Sequence, residues 1–69
     1  MAGRREEIRN LSELIGYIET DSSGNRTAYD KYMTKLGTYT KNNNRTATVH
    51  GTIIGYGDLT AVLIWNKIS

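Results

Sequence analysis

Residues 25–39 read Asn25-Arg26-Thr27-Ala28-Tyr29-Asp30-Lys31-Tyr32-Met33-Thr34-Lys35-Leu36-Gly37-Thr38-Tyr39, and residues 44–57 read Asn44-Arg45-Thr46-Ala47-Thr48-Val49-His50-Gly51-Thr52-Ile53-Ile54-Gly55-Tyr56-Gly57. With one residue deleted from the second stretch the two align. Asn-Arg-Thr-Ala opens each copy, and an aliphatic residue followed by glycine, Leu36-Gly37 or Ile54-Gly55, ends each. Leu14-Ile15-Gly16-Tyr17 is a truncated echo. Self-similarity at so short a period marks a repeated supersecondary unit. Each copy carries β-branched and aromatic runs bounded by Asn, Gly and Ser, the pattern of a strand, a tight turn and a returning strand.

Working outward from the repeat gives strands over 14–20, 26–31, 34–40, 45–49 and 52–57. They are joined by loops at 21–25 and 41–44 and by turns at Tyr32-Met33 and His50-Gly51. Glycine accepts the positive φ that a two-residue hairpin turn demands, so His50-Gly51 fits well. Tyr32-Met33 does not, which predicts either a longer loop or a strained backbone there. Taken as a two-residue turn, it sets Asp30 opposite Lys35, Tyr29 opposite Leu36, Thr27 opposite Thr38 and Arg26 opposite Tyr39. Each such pair contributes about 0.2–1 kcal/mol. The same count sets Arg45 opposite Tyr56, repeating the Arg–Tyr pair, and puts Lys35 and Tyr39 on one face.

The two ends differ in kind from the middle. Ile8, Leu11 and Ile15 fall at helical spacing among charges, which predicts a short amphipathic helix over Arg4 to Leu14. Asp58 can cap a helix from Leu59 to about Ile68, with Leu59, Val62 and Leu63 on one face, although Val62 and Ile64 also suit a strand. The expected fold class is α+β, mainly β: a five-stranded antiparallel meander of repeated hairpins, flanked by an N-terminal helix and a C-terminal apolar helix. Residues 1–69 form a single domain, divided into 1–13, 14–57 and 58–69.

Tyr29-Asp30-Lys31-Tyr32-Met33-Thr34-Lys35-Leu36-Gly37 resembles the Y-D-x-x-G-x-x-x-G hairpin repeated in small bacterial, plasmid and phage proteins. The likeness covers residues 26–64. Met33 stands where that pattern has glycine, and Thr48-Val49 replaces its Tyr-Asp in the second unit. The resemblance implies a small hairpin-repeat fold and an origin in a mobile element, and implies no activity. An inhibitor of a host defence complex, such as an anti-CRISPR, is the concrete form that such an origin gives to an interaction protein.

Several functions are excluded or disfavoured by composition. Thr52-Ile53-Ile54-Gly55-Tyr56-Gly57-Asp58 matches a potassium-filter motif, but a filter must be sheltered by spans of roughly 20 apolar residues. The longest uninterrupted apolar run here is Ala61 to Trp65. No membrane partner is expected. Cysteine is absent and histidine occurs once, at a turn. Metal-ligand spacing, a nucleophile–base pair and a cofactor motif are all lacking, so we expect no enzyme, no metal and no cofactor. The sequons at Asn10, Asn25 and Asn44 carry no meaning on a chain that is not exported. Lack of cysteine and of an N-terminal apolar segment gives a cytoplasmic expectation.

Charge is distributed unevenly. Residues 1–30 hold four basic and six acidic side chains, residues 31–69 five basic and one acidic, Asp58. No carboxylate lies between Lys31 and Gly57. In that stretch cations alternate with tyrosines, which makes Tyr29, Lys31, Lys35, Tyr39, Lys41, Arg45 and Tyr56 the candidate partner-binding residues. Tyrosine and arginine favour protein interfaces, and a small meander has open edges, so a larger protein partner is expected, with a homo-oligomer as a further route to burial. The alternative is nucleic acid, phosphates on the cations and bases on the tyrosines, although a formal charge of +2 is weak for it.

Overall fold

The computed structural model describes residues 4–68. Six strands form one antiparallel sheet in the order of the chain: β1 (Arg4–Asn10), β2 (Glu13–Thr20), β3 (Arg26–Asp30), β4 (Lys35–Thr40), β5 (Arg45–Thr48) and β6 (Ile53–Tyr56). A single helix, α1 (Thr60–Ile68), follows. The meander, the hairpin order and the C-terminal helix agree with the reading of the sequence. The strand count is six rather than five, because the expected N-terminal helix is instead β1; residues 1–3 of that segment lie outside the described residues.

The physical reason for β1 is pairing. Its full length runs against β2, from Arg4 opposite Thr20 to Asn10 opposite Glu13. Ile8 alone among its residues touches the core, while Leu11 sits in the turn, 97% exposed, and contributes nothing to an apolar helix face. Alternation sends Arg5, Glu7 and Arg9 to one side and Glu6 and Ile8 to the other. Arg5 reaches Glu19 at 3.1 Å and Arg9 reaches Glu7 at 2.8 Å, so these carboxylates are paired across and along the strand. A charged edge strand also resists pairing with other chains.

The hairpin turns explain the repeat. In the loop Asp21–Asn25 the Asp21 amide donates to the Asn25 carbonyl, Gly24 N–H donates back to the Asp21 carbonyl, and Asp21 Oδ1 accepts from Ser23 and Asn25 N–H at 2.9 Å each. The loop Asp30–Thr34 repeats every one of these bonds, with Asp30 Oδ1 accepting from Tyr32 and Thr34 N–H at 2.8 and 2.9 Å. Thr48–Thr52 is a third copy with a hydroxyl in the place of the carboxylate, its Oγ1 accepting from Thr52 N–H at 3.2 Å. All three therefore have three central residues, and the expected two-residue turns at Tyr32-Met33 and His50-Gly51 are each one residue too short. The last central residue is left-handed in every copy: φ is 89° at Gly24, 68° at Met33 and 90° at Gly51. Met33 pays the strain that glycine avoids.

The strands that carry an aliphatic residue before glycine are each bulged at that residue. Ile15 is skipped between Ile8–Gly16 and Arg9–Leu14, Leu36 between Ala28–Gly37 and Tyr29–Lys35, and Ile54 between Thr46–Gly55 and Ala47–Ile53. A bulge turns two consecutive residues to the same side. Here that side is the one α1 covers. A Cβ on Gly16 would meet Ile64 at 2.9 Å, and one on Gly37 or Gly55 would meet Leu63 or Leu59 at 2.7 Å. The helix thus crosses the sheet on a floor of glycines, and Ile15, Ile18, Ala28, Leu63 and Ile64 close the buried core.

Two changes test this account. Gly37→Ala drives a Cβ into the Ala47 carbonyl as well as Leu63 and should cost about 1–3 kcal/mol. Met33→Gly relieves the left-handed strain and should gain roughly 0.5–1 kcal/mol. Thermal unfolding followed by circular dichroism reads both, at about 4–8 °C per kcal/mol for a domain of this size.

Candidate interaction surface

The β6-to-α1 crossing is fixed by two side chains from the repeated Asn-Arg-Thr-Ala segments. Thr46, fully buried, donates its hydroxyl to the Gly57 carbonyl at 2.8 Å and accepts from Leu59 N–H at 3.0 Å. Arg26 holds Glu6 of β1 at 2.7 Å and pairs with Asp58 at the start of α1. Asp58 Oδ1 accepts from the Thr60 amide at 3.1 Å and its hydroxyl at 2.6 Å, and a carboxylate at this end also suits the helix dipole. With α1 docked, the opposite face of the sheet is left without a covering element among the described residues.

The register assigns that outer face. One row across it is Glu7, Tyr17, Tyr29 and Lys35; the next is Arg5, Glu19, Thr27, Thr38, Ala47 and Ile53. Tyr17 and Tyr29 are cross-strand partners and half-buried. The Arg5 guanidinium lies 5.7 Å from the Tyr17 ring centroid, within cation–π range. Arg45 and Tyr56 pair at the β5–β6 corner as expected, Tyr56 being 74% exposed.

The seven expected residues do not form one patch. Tyr29, Lys35, Arg45 and Tyr56 belong to the outer face. Tyr39 lies on the helix side, opposite Arg26 and the buried Thr46, and its hydroxyl donates to Asn44 Oδ1 at 3.1 Å. Lys31 is in the β3–β4 loop, its ammonium 5.4 Å from the Tyr32 ring centroid. Lys41 is in the β4–β5 loop at the other end of the sheet, its amide donating to Asn25 Oδ1 at 3.0 Å. The bulge at Leu36 is the cause of the division: it sets Tyr29 opposite Lys35, in place of the expected Asp30–Lys35 and Tyr29–Leu36 pairs, and so puts Lys35 and Tyr39 on opposite faces. Arg26–Tyr39 and Thr27–Thr38 hold as read from the sequence.

Tyr17 and Arg5 were missed as surface residues. The alternation of Arg5, Glu7 and Arg9 with Glu6 and Ile8 was the signal for a strand that would have brought them beside Tyr29.

Two shallow grooves flank the surface. One of about 420 Å³ is lined by Arg4, Arg5, Glu19, Thr20, Asp21, Asn25 and Thr27. The other, about 580 Å³, is lined by Ser23, Asn25, Thr40, Lys41 and Asn42. Both are polar. Among the described residues no group of three His, Cys, Asp or Glu side chains is placed to hold a metal, and no helix is long and apolar enough to cross a membrane. Comparison with protein-family models, curated proteins and solved structures finds no match to this chain.

Burial alone would raise the pKa of Asp58, but the hydrogen bonds from the Thr60 hydroxyl and amide and from Arg26, with the Arg26 charge, outweigh it and hold the carboxyl below its ordinary value. A carboxyl depressed in the folded state adds stability above its unfolded pKa, and that stability is lost as pH falls through the folded value. Asp58→Asn should therefore be less stable than the parent at neutral pH and should lose less stability on acidification below about pH 4. Urea unfolding at a series of pH values measures the difference; parallel curves for the two proteins would remove the Asp58 contribution.

Proposed function

We propose that this chain is a non-enzymatic interaction module that binds a larger protein partner through the sheet face turned away from α1. The observation that supports it is the Tyr17–Tyr29 pair, flanked by Arg5 and Lys35, on a face that no described element covers. Aromatic side chains offer large contact area at low entropic cost, and arginine adds directional hydrogen bonds, which is why both concentrate where interfaces draw their energy. Thr27 and Thr38 between them supply hydroxyls for a polar surround. The narrower version, an inhibitor of a host defence complex, rests on the hairpin resemblance alone.

Nucleic acid is the second reading, favoured by Lys35 and Arg45, which make no salt bridge among the described residues. Against it, Arg5 and Arg9 are already matched by Glu19 and Glu7 on the same face. A backbone-phosphate site needs many cations in excess, and its affinity falls steeply with salt.

The reading is tested with three immobilised baits in host lysate: the parent, Tyr29→Ser with Lys35→Glu, and Asn43→Ser in the β4–β5 loop. A protein retained after nuclease treatment and moderate salt by the parent and by Asn43→Ser, but lost from the face variant, is the expected result. Retention abolished by nuclease would replace protein with nucleic acid. Equal retention by all three would remove the outer face from the site.

A further inference from the structure

The two ends of the sheet are chemically unlike. At one end the connections are Asp21-Ser22-Ser23-Gly24-Asn25 and Lys41-Asn42-Asn43-Asn44, with no apolar side chain. At the other end are the β1–β2, β3–β4 and β5–β6 turns, and each lifts large apolar side chains into solvent. Leu11 is 97% exposed, Tyr32 78%, Met33 39% and Val49 53%. With strands about 4.8 Å apart, the three turn tips form a row about 20 Å long at this end of the sheet.

Two of these side chains also stand where folding would select another residue. Met33 (φ 68°) stands where the other two three-residue loops have Gly24 and Gly51, and Leu11 (φ 59°) opens the two-residue turn between Asn10 and Glu13, a positive-φ place that favours glycine or asparagine. A β-carbon in that region costs about 1–2 kcal/mol, and Leu11, 97% exposed, recovers none of it by burial. Residues that break a local rule with no structural return are the mark of a functional position.

We propose that this ridge of Leu11, Tyr32, Met33 and Val49 is a second docking element, one that inserts into an apolar cleft of a partner protein. Apolar side chains that stand out from turn tips are buried by a cleft lined with apolar groups. The grooves of about 420 and 580 Å³ are lined by polar residues among those described, so neither matches such a ridge on a second copy. Charge at the ridge is balanced: Lys31 and Lys35 are offset by Glu13 and Asp30, and Arg9 is held by Glu7. Anionic lipid recruits a basic excess alongside inserted apolar groups, and that excess is missing here. The ridge does not depend on the outer-face reading, since its side chains belong to the turns.

The test uses the full chain with a photo-crosslinking phenylalanine analogue in place of Tyr32 or, at the polar end, of Asn43. Host lysate is irradiated with each, the protein joined through position 32 is identified and purified, and it is titrated with the unmodified chain and with Leu11→Gly/Met33→Gly. The expected result is an adduct from position 32 and none from 43, with a melting temperature several degrees higher and an affinity at least tenfold lower for the glycine variant. Leu11→Asn/Met33→Asn, which keeps a residue tolerant of the left-handed region, should behave alike. Three results overturn the proposal: undiminished affinity of both variants, a dimer of the parent in sedimentation that the variants lose, or flotation of the parent with phosphatidylcholine–phosphatidylserine vesicles that the variants lose. Absence of any adduct from position 32 overturns it equally.

Discussion

Everything in this structure depends on how low α1 can sit on the sheet. One helix of nine residues has to close the core of a six-stranded sheet, and five apolar residues are buried among the described residues. Interiors pack at crystal-like density, so a helix held one methyl group higher would forfeit contact along its whole length. Gly16 and Gly37 remove that obstacle beneath α1 and Gly55 does so for Leu59 just ahead of it, while the bulges bring Ile15 and Leu36 to the same side as packing partners. Thr46 and Arg26 then fix where the helix begins, with buried polar atoms that are fully satisfied. Packing and clamp are both drawn from the same repeated segments of sequence.

How much of this was legible follows from how local each signal is. The repeat was legible from its own residues, Asn-Arg-Thr-Ala and the aliphatic–glycine pair, and it placed the hairpins, but not the third central residue of each turn, which the Asp30 carboxylate and the Thr48 hydroxyl hold by accepting backbone amides. Asp58 and the apolar run after it announced α1 for the same reason. The first strand was not legible in that way. Ile8, Leu11 and Ile15 satisfy a helical spacing by accident of the turn between them, and the contest is decided by the β2 ladder, which no local pattern contains. The bulges were hidden too, since an aliphatic–glycine pair does not by itself declare a skipped residue. One such slip reverses every later side chain, which is why Lys35 and Tyr39 came apart and the candidate site lost its unity.

The exposed side chains of the outer face and of the turns differ in what they do for the fold. Tyr17 and Tyr29 still gain from cross-strand contact, so their presence has a partial structural account. Leu11, 97% exposed at a positive φ, has none. The tyrosines of the face thus contribute to the sheet, whereas Leu11 and Met33 sit at positive φ in turns, where a β-carbon works against the fold.

The order of the strands has a kinetic side. Each ladder joins neighbours in sequence, so contact order within the sheet is low, and every hairpin can close without waiting for a distant segment. The exception is α1, which must return across β4 and β3 to β2. During synthesis the meander emerges first, and its apolar side stays wet until Thr60–Ile68 has followed. Whatever keeps Thr60–Ile68 from docking thus leaves an unfinished sheet with a bare glycine floor, the state from which this chain is most exposed to aggregation.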